Sequence, residues 1–200
     1  RWISQRTLGS GEFTLTAGID YDHSEDDRRG YENFVGSTLG VKGALRRDEL
    51  DTITSIDPYV QALWKSGPWQ WSLGARHSRV SFKVEDRYIK TDNPDDSGSV
   101  RFSKTTPALG VSYALSPATN LYASVGAGYE TPTLNELSYA TPTTGFNFGL
   151  RPSTSRQAEI GIKTFVSDNA RINAALFRIE TDDEIVVLAS EDGRTSYQNA

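Results

Sequence analysis

Residues 12–21 read Glu12-Phe13-Thr14-Leu15-Thr16-Ala17-Gly18-Ile19-Asp20-Tyr21, with an apolar or aromatic side chain at every second position. A strand sends successive side chains to opposite faces, so Phe13, Leu15, Ala17, Ile19 and Tyr21 form one greasy face and the residues between them a polar one. The alternation returns at 107–115 (Pro107, Leu109, Val111, Tyr113, Leu115), at 120–129 (Leu121, Ala123, Val125, Ala127, Tyr129) and at 157–164 (Ala158, Ile160, Ile162). Further strands are predicted at 2–8, 57–66, 69–89 and 170–187. No segment carries a helical stripe, and the chain is expected to be all-β.

The connections extend this reading. Gly9-Ser10-Gly11, Ser66-Gly67-Pro68, Ser116-Pro117-Ala118-Thr119 and Val166-Ser167-Asp168-Asn169 have the composition of tight turns. Between them lie polar stretches at 22–55, around 90–98, at 130–152 and around 188–194, which are expected to be long loops. Short and long connections alternate, so an antiparallel up-and-down sheet gathers all short turns on one rim and all long loops on the other. That asymmetry belongs to outer-membrane barrels.

Aromatic placement follows the same scheme. Trp64, Trp69 and Trp71 flank the turn at 66–68, Tyr113 and Tyr122 flank the turn at 116–119, and Phe165 abuts the turn at 166–169. Tyr21, Tyr59 and Tyr129 mark the opposite strand ends. Two aromatic bands separated by about 9–11 residues of tilted strand match two membrane–water interfaces.

Composition removes several classes. Against 26 acidic residues stand 21 basic ones, a net charge of −5, whereas a nucleic-acid binder needs a basic footprint. Cysteine is absent, which excludes disulfides and cysteine-ligated zinc or iron–sulfur sites. His23 and His77 are the only imidazoles, so no metal centre and no cofactor is expected. No run approaches the roughly 18 apolar residues of a spanning helix. The mean hydropathy of −0.50 suits a wall in which only alternate residues meet lipid. The sequence opens on Arg1-Trp2 and contains no methionine, so it is read as a section of a longer polypeptide.

Some stretches also resemble a known family. Asn120-Leu-Tyr-Ala-Ser-Val-Gly-Ala-Gly-Tyr-Glu-Thr-Pro-Thr-Leu-Asn-Glu-Leu137 is similar to the barrel signature of TonB-dependent outer-membrane receptors. Asn147-Phe-Gly-Leu-Arg-Pro-Ser-Thr-Ser-Arg-Gln-Ala-Glu-Ile-Gly-Ile-Lys163 resembles a strand entry of that family, and the likeness continues through 176–187 and 197–200. Upstream, Asp20-Tyr-Asp22 and Arg29-Gly-Tyr-Glu-Asn33 are similar to loop and strand ends in iron-siderophore members. The resemblance implies a plugged barrel of about 22 strands. About eight or nine of these fall within residues 1–200, one partial barrel domain without the plug or the final strand.

It further implies import without catalysis. A ferric siderophore or similar scarce ligand binds at the outer mouth, and energy relayed through TonB displaces the plug. The implied partners are outer-membrane lipid, the ligand, the plug and TonB, in a Gram-negative bacterium. An anionic chelate calls for Arg and aromatic contacts on loops. Candidates are Arg28, Arg29, Tyr31, Arg46 and Arg47 in the first long loop, then Tyr139, Phe146, Phe148 and Arg151 in the third. Gly110, Ser112, Ser124, Gly126 and Gly128 would leave room for the plug beside the wall. Gly126-Ala127-Gly128 lies within a strand and is no nucleotide fingerprint. The acidic groups Asp92, Asp95 and Asp96, and Glu180, Asp182, Asp183 and Glu184, read as solvated charge.

Three rival classes carry their own signatures. A barrel hydrolase needs a nucleophile beside a base, but the neighbours His77 and Ser78 face opposite ways on a strand. A porin or small closed barrel would conduct ions. A soluble sandwich would bury each greasy face against a second sheet.

Overall fold

The computed structural model describes residues 1–140, 145–191 and 194–200. Positions 141–144 of the stretch 130–152, and 192–193 of the stretch around 188–194, lie outside the described residues. The elements in chain order are β1 (Trp2–Leu8), β2 (Gly11–Tyr31), β3 (Phe34–Val35), β4 (Thr38–Leu39), β5 (Leu45–Ser66), β6 (Trp69–Asp86), β7 (Gly98–Ser116) and β8 (Thr119–Glu130). They continue with α1 (Leu134–Leu137), β9 (Ser153–Ser167), β10 (Ala170–Asp182), β11 (Ile185–Glu191) and β12 (Arg194–Asn199).

Eight of these strands form one antiparallel sheet in the order β1-β2-β5-β6-β7-β8-β9-β10. Each neighbour in the sheet is also the next long strand in sequence, so the sheet is an up-and-down meander. The four two-residue turns that join neighbouring strands of this sheet lie on one rim. The other rim carries the β3–β4 hairpin, the connection after β6, the segment holding α1, and the β11–β12 hairpin.

Register sorts the side chains into two faces. Phe13 stands opposite Trp64, which stands opposite Trp71; Leu15, Ala62, Leu73, Leu109 and Val125 form the next row on the same face. This face is bare: Leu73 is 57% exposed, Ile160 61% and Leu176 78%. A soluble sandwich would have closed a second sheet over it. The other face carries Thr14, Gln61, Ser72, Gly74, Ser124, Gln157 and Glu159. Here the Tyr59 ring lies over Gly18 and the Tyr122 ring over Gly161, each across a strand pair, where a Cβ would come within 2.6 Å of the ring. Gly110, Ser124 and Gly126 line a groove of about 420 Å³ on this face; Ser112 and Gly128 lie outside it.

The strands run longer than the hydrophobic pattern predicts. β2 has 21 residues and β5 has 22, against the roughly 9–11 that a membrane crossing needs. The stretch 22–55, expected as a loop, is therefore largely strand: β2 continues to Tyr31 and β5 starts at Leu45. Polar residues occupy the outward face there, so apolar periodicity stops while the backbone ladder goes on. Likewise the strand expected at 170–187 ends at Asp182, where Asp183 takes a positive φ of 58° and the chain turns into the β11–β12 hairpin. A single four-residue helix, α1, interrupts the otherwise all-β described chain.

Buried hydrophobic side chains gather in one cluster of Phe82, Phe102, Leu137 and Leu150, with Ile53, Val80, Val100, Leu134, Phe146, Ile185 and Tyr197 around it. These come from the polar-side face of β5–β7 beyond the apolar band, from the α1 segment and from the β11–β12 hairpin. The segment after β8 thus folds inward across the wall and brings its own apolar cover.

Candidate functional site

The inward fold of the α1 segment is built from local rules. Thr133 caps α1 in a capping box, accepting from Glu136 N while the Glu136 carboxylate accepts from Thr133 N at 2.7 Å. Leu137, fully buried, anchors the segment in the cluster. Asn147 N donates to Leu137 O at 2.7 Å, and Asn147 Nδ2 donates to Tyr197 O at 3.2 Å, which ties the segment to β12. Arg151 N donates to Asn199 Oδ1, and Asn199 Nδ2 donates to Arg151 O, both at 2.8 Å.

A cavity of about 610 Å³ opens between this segment and the ends of β2, β5, β6 and β12. Tyr31, Arg46 and Arg47 line it from the wall, Tyr139 and Phe146 from the α1 segment, and Arg194 from β12. Arg47 and Arg194 both lie over the Tyr139 ring, at 5.9 and 5.6 Å from its centroid, within cation–π reach. Lys42 Nζ sits 3.7 Å from the centre of the Tyr31 ring. Asp86 at the end of β6, and Tyr88, Asn93 and Asp96 from the connection after it, line the cavity as well.

Electrostatics bias the cavity. Arg47 Nε donates to Glu49 Oε2 at 2.9 Å. Burial alone would lower the Arg47 pKa, but the Glu49 charge and hydrogen bond, with help from Tyr139, hold it above its ordinary value. Burial pushes the Glu49 carboxyl up, against the opposing pull of Arg47, and Asp51 reinforces the rise. Burial likewise raises Asp96, helped by the charges of Asp86 and Asp95. Burial thus opposes ionisation of Glu49 and Asp96, while Arg47 is held firmly in its charged form. Among the described residues no group of three or more His, Asp or Glu side chains is arranged to hold a metal ion.

Five of the nine expected contacts, Tyr31, Arg46, Arg47, Tyr139 and Phe146, come together at this cavity. The other four do not. Arg28 is on a strand, not in a loop, and its Nη1 sits 3.1 Å from Glu49 and 3.2 Å from Asp51, which is 1% exposed. Its role is to neutralise that buried pair. Arg29, also on β2, faces the opposite way and meets Asp27 and Asp48. Phe148 stacks on Phe146 and covers Gly98. Arg151 is held by Asp183 at 2.6 Å. Tyr31, Arg46 and Arg47 likewise stand on or beside strand ends. Sequence reading missed Tyr88, Asn93, Asp96 and Arg194, because nothing local in the chain signals that the loop after β6 and the β11–β12 hairpin meet the first long connection.

Of the aromatic bands, Tyr21, Trp64, Trp69, Trp71 and Tyr113 stand on the exposed apolar face; Trp69 lies 5.9 Å from Trp71 and 4.6 Å from Tyr113. Four residues depart from this. Tyr59 and Tyr122 lie on the polar face, over Gly18 and Gly161. Tyr129 packs half-buried on the inner cluster, because β8 leaves β7 after Gly126. Phe165 falls on the polar face by register, opposite Arg171, whose guanidinium covers its ring.

A meander of overlong strands with one bare apolar face, bearing a cationic and aromatic cavity at its long-loop rim, defines a section of a receptor-type β-barrel. The chain belongs to the family of TonB dependent receptor-like β-barrels, whose pattern matches residues 1–200. It is similar in fold to the copper transporter OprC (TM-score 0.72, 16% identity, 98% of this chain and 31% of that one). It is similar also to the ferric citrate transporter FecA in its unliganded form (0.71, 19%, 91% and 26%). A third likeness is to the ferric-catecholate import receptor Fiu from K12 E. coli (0.67, 16%, 98% and 32%). The chain spans about a third of the length of these proteins or less. The family and these neighbours are transport receptors rather than enzymes, so the hydrolase alternative is set aside.

Proposed function

We propose that residues 1–200 form part of the wall of a ferric-siderophore receptor in the outer membrane of a Gram-negative bacterium. The bare apolar face meets lipid, the polar face meets the lumen and the plug, and the plug receives energy from TonB. The neighbours of similar fold carry ferric catecholate, ferric citrate and copper by name, so fold does not choose the cargo. The observation that carries the reading is the convergence of Arg46, Arg47 and Arg194 with Tyr31, Tyr88 and Tyr139 on one cavity at the long-loop rim. Guanidinium forks and phenol rings suit a ferric chelate whose outer atoms are carboxylate or catecholate oxygens.

The test is uptake of radiolabelled iron, presented as ferric citrate and as a ferric tricatecholate, by cells whose only such receptor is the full-length protein. Arg47→Ala combined with Arg46→Ala should reduce uptake of the accepted chelate by about tenfold or more at equal surface level, by loss of charge-assisted hydrogen bonds. Undiminished uptake would overturn the site. Ion conductance without saturable uptake would overturn the receptor reading in favour of a porin.

A further inference from the structure

β12 carries Arg194 and Ser196 two residues apart, hence on one side of the strand, and both line the cavity at the long-loop rim. Ser196 is 5% exposed, and among the described residues its Oγ has no hydrogen-bond partner. Ser138, in the same lining and as deeply buried, donates its hydroxyl to Leu134 O at 2.7 Å. A buried hydroxyl left unpaired costs free energy until an acceptor reaches it, so Ser196 marks a place for a ligand oxygen.

The polar groups around it are unevenly engaged. Glu49 accepts from Arg47 Nε at 2.9 Å and lies 3.1 Å from Arg28 Nη1. Asp86 accepts from Tyr88 N at 2.8 Å and from Asp96 N at 3.3 Å. Asp96 itself sits against Gly145, where a Cβ would come within 2.5 Å of its Oδ1. Arg47 gives Glu49 its Nε, which leaves the two terminal amino groups of its fork for other partners. Tyr139 draws Arg47 and Arg194 together, since both guanidiniums lie over its ring. Two cations and one unpaired hydroxyl thus meet around one space.

This arrangement separates two kinds of chelate. In a ferric tricatecholate every catechol oxygen is on the metal, and the outer surface is aromatic, which calls for a ring to stack on. A polycarboxylate chelate keeps one oxygen of each metal-bound carboxylate, and the whole of any unbound one, on its outside. The Tyr139 ring is already engaged by two guanidiniums. Those guanidiniums and the Ser196 hydroxyl supply donors to both oxygens of a carboxylate.

We propose that Ser196, with Arg47 and Arg194, seats a carboxylate of the chelate, and that the cargo is a ferric polycarboxylate rather than a ferric catecholate. The inference rests on the receptor reading above and narrows it to one class of chelate.

The experiment uses the full-length protein in non-ionic detergent, titrated with ferric citrate and with a ferric tricatecholate, with binding read by calorimetry. The parent should bind ferric citrate at least tenfold more tightly than the tricatecholate. Ser196→Ala should weaken ferric citrate binding by about tenfold, the loss of one hydrogen bond to a charged group, and Arg194→Gln by about as much. Because the Ser196 hydroxyl has no partner in the free protein, Ser196→Ala should leave the denaturant midpoint unchanged or higher. That split separates a ligand contact from a structural one. A Ser196→Ala variant that binds ferric citrate like the parent, or that loses affinity only together with stability, would overturn the proposal. Tighter binding of the tricatecholate would also overturn it and leave the receptor reading standing. Saturable binding of neither chelate would overturn that reading, and this proposal with it.

Discussion

Leu137→Ala tests whether the inward segment is held by its own apolar anchor. Leu137 is fully buried against Phe82, Phe102 and Leu150, and its carbonyl accepts from Asn147 N. Truncation there removes packing and leaves a cavity, at a cost of about 3 kcal/mol. The eight-stranded ladder does not depend on this contact, so the cost falls on the segment that carries Tyr139 and Phe146. Hydrogen exchange of the full-length protein, followed by mass spectrometry, reads this directly. Amides of 134–140 and 145–150 should lose about a hundredfold in protection, while those of β6 and β7 stay unchanged. Affinity for the accepted ferric chelate should fall in parallel. Unaltered exchange in the segment, or equal loss in the strands, would refute the view that the wall and its inward cover are separate units of stability.

Three further perturbations address the faces and the charges. Leu73→Arg, on the bare face, should destabilise the lipid-embedded protein by about 2–4 kcal/mol, whereas Ser72→Arg on the polar face should be tolerated; denaturant midpoints in bilayers separate them. Arg28→Ala should cost about 3 kcal/mol by leaving the buried Asp51 without a cation, since Glu49 keeps Arg47, while Arg29→Ala costs less than about 1 kcal/mol; both are read from the same midpoints, and neither should alter chelate selectivity. Because the Glu49 carboxyl is raised above its ordinary 4.5, the folded state binds that proton more tightly than the unfolded chain does. Stability from this group therefore rises as pH falls from neutral through the raised value, and Glu49→Gln should remove that component from the pH profile.

The half of the fold that carries the apolar band is legible because a continuous apolar face enforces a period of two: Phe13 to Tyr21 and Leu121 to Ala127 announce their strands residue by residue. Above the band that enforcement ends. Asp22 to Tyr31 looked like a loop since charged residues occupy the outward positions, although the ladder with β5 continues unbroken as far as Gly30. The site was half legible for a related reason. Arginine and tyrosine near strand ends could be named from chemistry alone, but whether a guanidinium meets a ligand or a carboxylate depends on cross-strand register. Arg28 is closed off by Asp51 across the strand pair, whereas Arg47 holds Glu49 and still reaches the Tyr139 ring.

The overhang of β2, β5, β6 and β7 has a consequence for how such a receptor can change over time. A binding cavity mounted on hydrogen-bonded girders, rather than on slack loops, keeps its shape when individual side chains are exchanged, since the backbone bonds that support it are indifferent to residue type. The upper part of each girder also lies beyond the apolar band that dictates every second residue below. On the receptor reading proposed above, new cargo preferences can therefore be written into the parapet while the foundation below stays as it is.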